Sequence, residues 1–126
     1  MRAAHTVVVL RDGEGSIYGG YADVAWHKRG AYVPSTASFL FCLASSKAPA
    51  GTPFKMPLNG TNNQYAIYCT SGDVRFGGGH DMYLVSNGQA SCAIGHTYTA
   101  GPTGATISRA NPVSVTAIEV WQLADE

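Results

Sequence analysis

Short apolar stretches alternate with turn-forming clusters along this chain, and the spacing is that of strands. Thr6-Val7-Val8-Val9-Leu10 is a β-branched run, and Arg11-Asp12-Gly13-Glu14-Gly15 is a turn-forming cluster. Ser16 to Ala22 then reads as a return strand, so residues 6–22 are predicted to form a hairpin. Gly19 and Gly20 inside the return strand imply a bulge or a second backbone packed close. Ala37 to Ala44 is the most apolar segment, with Phe39, Phe41 and Leu43 on one alternating face and Leu40, Cys42 and Ala44 on the other. A strand of that kind needs cover on both sides. A short helix after Pro34, capped by Ser35, competes for the same residues.

Tyr65–Cys69 and Met82–Val85 read as further strands, the latter ended by Ser86-Asn87-Gly88, and Val113–Leu123 as the last and longest. The odd positions of that last strand are Val115, Ala117, Glu119, Trp121 and Leu123. Glu119 therefore interrupts an apolar row, as an exposed carboxylate at a sheet margin or as a buried one bonded to loop amides. No stripe of helical period runs beyond three turns. The predicted fold is all-β, built from two packed sheets.

Composition narrows the picture. The 15 glycines and 6 prolines are spread along all 126 residues without a linker, so residues 1–126 are read as a single domain. Eight basic and eight acidic residues give zero net charge. Only 13% of residues are charged, against about 25% in an ordinary soluble domain. Binding to nucleic acid by general electrostatics and a polybasic membrane anchor are both disfavoured. No apolar run reaches the roughly 18 residues of a membrane span, and the apolar stretch at residues 6–10 is too short for a signal peptide. A cytoplasmic location is expected, with an organelle left open. Three cysteines, Cys42, Cys69 and Cys92, do not form a disulfide framework. Reduced thiols are expected, with Cys42 and Cys69 in the core.

The densest motif is Arg75-Phe76-Gly77-Gly78-Gly79-His80-Asp81-Met82. Three adjacent glycines have two physical uses: a nest of amides that holds an anion, or room for close packing. Phosphate loops usually open a helix and often carry a Lys, whereas a strand follows here, so room is the preferred reading. His80-Asp81 offers two metal ligands, but His5, His27 and His96 are scattered and no zinc spacing exists. Asp81 is read as a turn cap and His80 as a semi-buried hydrogen-bonding group. There is no Gly-x-Ser-x-Gly elbow, and nothing pairs the acidic residues. No catalysis, cofactor or metal is expected. Trp26, Tyr18, Tyr21 and Tyr32 cluster near the return strand, where they fill space around Gly19-Gly20 or form an exposed patch.

Several blocks together resemble the TLDc domain. They are Ile17-Tyr18-Gly19-Gly20-Tyr21 followed by Trp26, then Ser38-Phe39-Leu40-Phe41, then Ala66-Ile67-Tyr68. The glycine-rich signature matches at Phe76 to Leu84, and Gly95-His96-Thr97-Tyr98 and Ile118-Glu119-Val120-Trp121 match too. The version with Gly-Gly-Gly-His-Asp looks like protist and algal forms. The resemblance implies a two-sheet antiparallel β-sandwich with short flanking helices and long loops. It also implies oxidative-stress resistance, and for several members binding to the vacuolar-type proton-pumping ATPase. Carried onto this sequence, the family's motif residues are Gly19, Gly20, Trp26, Gly77, Gly78, Gly79, His80, Asp81, Glu119 and Trp121, all expected to be mainly structural. The family domain normally has about fifty further residues ahead of the first strand seen here, so the chain is expected to lack that segment.

Three functions follow as expectations. The first is a non-enzymatic protein-interaction domain whose binding surface comes from loops 23–36 and 86–112, with Tyr21, Tyr32, His96 and Tyr98 as candidate partner contacts. The second is an accessory subunit buried in a large assembly, suited by the low charge. The third is a redox sensor or metal-binding protein using Cys92, His96, His80 or Asp81.

Overall fold

A computed structural model describes residues 5–23, 31–47, 53–70, 73–86 and 88–122. The β-branched run forms β1 (Thr6–Asp12) and the return segment forms β2 (Ile17–Ala22). They are followed by β3 (Ala31–Val33), β4 (Phe39–Ala44), β5 (Phe54–Pro57), β6 (Ile67–Thr70), β7 (Asp73–Phe76), β8 (Met82–Ser86), β9 (Gln89–Cys92) and β10 (Val113–Gln122). The helix that competed for residues 37–44 does not form: Phe39–Ala44 is a strand held between β2 and β5. The flanking helices reduce, among the described residues, to one 3-10 turn at Asn63–Tyr65.

The all-β expectation holds, and every strand pairing is antiparallel. The strands form one hydrogen-bonded sheet of ten, in the order β3-β6-β7-β8-β9-β10-β1-β2-β4-β5, where two separate sheets were expected. β10 joins the halves: Val113 and Ser114 pair with β9, and Val115 onward pairs with β1.

Alternation decides which side of each strand is buried. In one half, Val8, Gly20, Leu40 and Met56 lie in register across β1, β2, β4 and β5, all facing inward. In the other half, Ile67, Phe76 and Met82 form the inward row. Each large apolar side chain taken fully out of water contributes about 1.5–3 kcal/mol. The halves meet at Phe76, whose ring fills the place of a side chain at 20: a Cβ on Gly20 would lie 2.6 Å from Phe76 Cζ. A Cβ on Gly19 would fall on the Val8 carbonyl. Close packing therefore explains the glycine pair. The register irregularities lie elsewhere, between Arg11 and Asp12 and between Ile17 and Tyr18.

The hairpin turn carries its own anchor. Asp12 Oδ1 accepts from the amides of Glu14 (2.9 Å) and Ser16 (3.1 Å), and Oδ2 accepts from the Tyr18 and Ser108 hydroxyls. Glu14 accepts from the amides of Arg109 and Ala110, both at 2.8 Å, and from the Ser46 hydroxyl. The Ser46 hydroxyl and these amides hold the Glu14 carboxyl below its usual range. Two acidic residues of the first turn thus fix the loop that leads into β10.

Candidate functional site

The glycine-rich motif is the turn between β7 and β8. Phe76 ends β7 in the core. Gly77 then takes φ +96°, which a side chain disfavours, and its amide donates to the Ala66 carbonyl (2.9 Å). The His80 amide closes the turn onto the Gly77 carbonyl (3.1 Å).

Asp81, fully buried, follows. Its Oδ2 accepts from the amides of Gly95, Thr97 and Tyr98, each at 3.0 Å. A buried carboxylate is tolerable when charge-assisted bonds of this kind engage it; here all three fall on Oδ2, while Oδ1 is buried without a hydrogen-bond partner among the described residues. Asp81 is therefore the pin that holds segment 95–98 against the turn. Thr97 completes the clasp: its hydroxyl oxygen accepts from the Gly78 amide (2.9 Å) and lies 2.9 Å from His96 Nδ1. The Tyr98 hydroxyl donates to the Ala66 carbonyl (2.9 Å).

Each glycine is needed for space. A Cβ on Gly77 would lie 2.2 Å from Asp81 Oδ1, one on Gly78 would lie 2.8 Å from the Tyr65 Cβ, and one on Gly79 would lie 2.6 Å from the His96 Cβ. The amides of Gly77, Gly78 and His80 already have internal acceptors. That leaves no nest of free amides for an anion.

Around this turn lies a partly exposed aromatic surface. Tyr32, Tyr68, Arg75 and Tyr83 occupy one cross-strand row on β3, β6, β7 and β8. The Arg75 guanidinium stacks between the rings of Tyr68 (4.7 Å) and Tyr83 (4.5 Å). It also donates to the Tyr83 hydroxyl (3.2 Å) and lies 3.3 Å from His80 Nε2. Tyr32 packs edge-on against Tyr65, and its hydroxyl donates to the Gly78 carbonyl (3.3 Å). Tyr65 meets the His96 ring.

A family model for the TLDc domain matches residues 1–124. The chain belongs to the TLDc domain family. A comparison with curated proteins gives no match. The glycine-rich turn of this TLDc chain, its Gly95–Tyr98 segment and its closing strand are the same blocks that carried the resemblance.

Several expectations need correction. Tyr98 is no partner contact: it is fully buried, and burial raises its phenol pKa. His80 is exposed, with φ 54°, rather than semi-buried. Asp81 does more than cap a turn, since its amide partners are fourteen to seventeen residues away. Glu119 is the exposed carboxylate of the two alternatives and accepts from Trp121 Nε1 (3.0 Å). Trp121, whose indole N–H makes that bond, is 58% exposed. Tyr32 and His96 do meet at the turn through Tyr65, whereas Tyr21 lies on β2 in the other half of the sheet, its ring tilted against that of Phe39. Tyr18 is buried in the core. Trp26 lies outside the described residues, as does the side chain of Cys69. Loops 23–36 and 86–112 contain β3 and β9.

The thiols read as structural. Cys42 and Cys92 are free and buried. Burial pushes Cys42 up to about 11 and Cys92 up to about 12, which keeps both protonated and unreactive. Among the described residues no three His, Cys, Asp or Glu side chains cluster as a metal site, and no helix is long and apolar enough to cross a membrane. Sequence reasoning missed Tyr65, Tyr68, Tyr83 and Arg75 as surface residues. Their alternation was visible, but the strand pairing that aligns them was not.

Proposed function

We propose that this TLDc chain is a non-enzymatic protein-interaction domain whose contact surface is the aromatic row around the glycine-rich turn. The carrying observation is an Arg stacked between two tyrosines, with Tyr32, Tyr65, His80 and His96 beside it. Tyr and Arg are enriched at binding hot spots, and a Tyr ring buries much area while losing little side-chain freedom. The row sits on strands, and Asp81 clamps the neighbouring loop, so the surface is pre-organised and little ordering has to accompany binding. The two most buried carboxylates, Asp12 and Asp81, are engaged by amides and hydroxyls of the fold. That fits a structural use of the acidic residues better than a catalytic one.

Family membership supports a finer reading: a cytoplasmic protein that supports oxidative-stress resistance or regulates the proton-pumping ATPase through this surface. The test is affinity capture with the wild type and with a Tyr65→Ala/His80→Asn variant. Asn tolerates the left-handed backbone at position 80. The partner, the proton-pumping ATPase included, is expected to be held by the wild type and lost by the variant. Equal capture by both, or no stoichiometric partner for either, overturns the proposal.

A further inference from the structure

The segment from Gly95 to Tyr98 is held on two sides. Asp81 grips its amides from within. From the solvent side, the side-chain amides of Asn59 (2.9 Å) and Asn62 (2.7 Å) both donate to the His96 carbonyl, and the Asn59 backbone amide donates to the Thr97 carbonyl (2.9 Å). Asn59 is exposed and is followed by Gly60, also exposed, with φ +85° and open space where a side chain would stand. The Asn59 side chain curls back over that glycine, because its Oδ1 accepts from the Thr61 amide (2.9 Å) in an Asx turn. Three conditions for attack within the chain meet here. The Gly60 nitrogen is not shielded by a side chain. The Asn59 amide carbon is folded toward it. The Thr61 N–H already donates to the oxygen on which charge develops when that carbon is attacked.

We propose that Asn59 is a self-modifying site whose conversion to an acid releases the His96 carbonyl. The Gly60 nitrogen gives its proton to water or hydroxide and attacks Asn59 Cγ. The N–Cγ bond forms, the Cγ–Nδ2 bond breaks, and the amide nitrogen leaves as ammonia with a proton taken from water. A water molecule then opens the cyclic imide at either carbonyl and gives aspartate or isoaspartate. Overall, water is consumed, ammonia is released and nothing is oxidised or reduced. Either product replaces a neutral donor by an anion that only accepts hydrogen bonds. An acceptor placed against the His96 carbonyl makes no bond with it, and isoaspartate also lengthens the main chain by one carbon at this point. The carbonyl is left with Asn62 as its side-chain donor from this loop, so the outer hold on the segment weakens while Asp81 keeps the inner one. The chemistry needs no partner protein and goes beyond the interaction reading, although His96 borders the proposed contact surface through Tyr65.

The experiment ages the native full chain in mildly alkaline buffer and follows position 59 by peptide mass spectrometry that separates aspartate from isoaspartate. Near-ultraviolet circular dichroism checks that the chain stays folded. Asn87-Gly88 is a second pair of the same kind in the sequence, and peptide mapping keeps the two apart. The wild type is expected to accumulate both products at position 59. Gly60→Ala, which puts a methyl group beside the attacking nitrogen, should slow this by about ten-fold or more. Nitrogen-15 NMR reads the consequence. The Thr97 amide, which belongs to the same peptide group as the His96 carbonyl, should shift in the aged wild type and in fresh Asn59→Asp. It should stay in place in aged Gly60→Ala. An Asn59 that keeps its amide throughout in the folded wild type overturns the proposal. Conversion at the same rate in Gly60→Ala overturns the imide route. Conversion that leaves the Thr97 amide where it was overturns the release of His96.

Discussion

The Asp81 carboxylate occupies the space that a side chain at position 77 would need. A Cβ on Gly77 would lie 2.2 Å from Asp81 Oδ1 and 2.7 Å from Asp81 Cβ. Gly77→Ala is therefore expected to combine a left-handed backbone penalty of roughly 1–2 kcal/mol with overpacking of about 1–3 kcal/mol. Gly104 has φ +75° with open space around it, so Gly104→Ala carries the backbone penalty alone. Urea denaturation of the two variants separates the terms. Equal losses would mean that the carboxylate does not need the room.

Gly20 and Phe76 make a second such pair across the two halves of the sheet, with the ring 2.6 Å from where a Cβ would sit. Gly20→Ala is expected to cost about 1–3 kcal/mol in the wild type. In a Phe76→Leu background the cost should fall, leaving a coupling of at least about 0.5 kcal/mol between the sites. A double-mutant cycle by chemical denaturation measures it. Strict additivity would contradict the contact between the halves.

The buried thiols set an alkaline limit. Cys42 and Cys92 are raised from 9.0 to about 11 and about 12 by burial. The fold prefers the neutral thiol, so its contribution is complete below the unfolded pKa near 9 and is lost as pH rises toward 11–12. The urea midpoint should be insensitive to these groups near neutrality and fall steadily above about pH 9. At pH 8 a thiol reagent should leave Cys42 and Cys92 unmodified in the native protein, as read by peptide mass spectrometry. Rapid native labelling of Cys92 would revive the redox-sensor reading.

How much of this was legible depended on how local the cause was. The hairpin at residues 6–22 was readable because a β-branched run, a turn cluster and a return strand follow one another directly. The strand at Val113–Gln122 was readable because its length leaves little else. β3, β5 and β9 are three or four residues long and exist because neighbours supply their hydrogen bonds, which no local pattern reports. Glu119 and Asp81 illustrate the harder limit. Alternation placed Glu119 in an apolar row but could not say whether anything covers that row. The buried carboxylate with amide partners was Asp81, whose partners Gly95 to Tyr98 come together with it only in the fold. Tyr68, Arg75 and Tyr83 were each visible, but their stacking is a matter of register.

The central claim is that Gly77-Gly78-Gly79 provides room for Asp81, Tyr65 and His96 and does not bind an anion. The most direct measurement is a nitrogen-15 NMR titration of the native chain with inorganic phosphate, followed at the amides of Gly77, Gly78, Gly79 and His80. Those of Gly77, Gly78 and His80 donate to Ala66, Thr97 and Gly77 respectively, so no saturable shift is expected at the turn. A saturable shift of these amides would mean that they are free to hold an anion, and would contradict the claim.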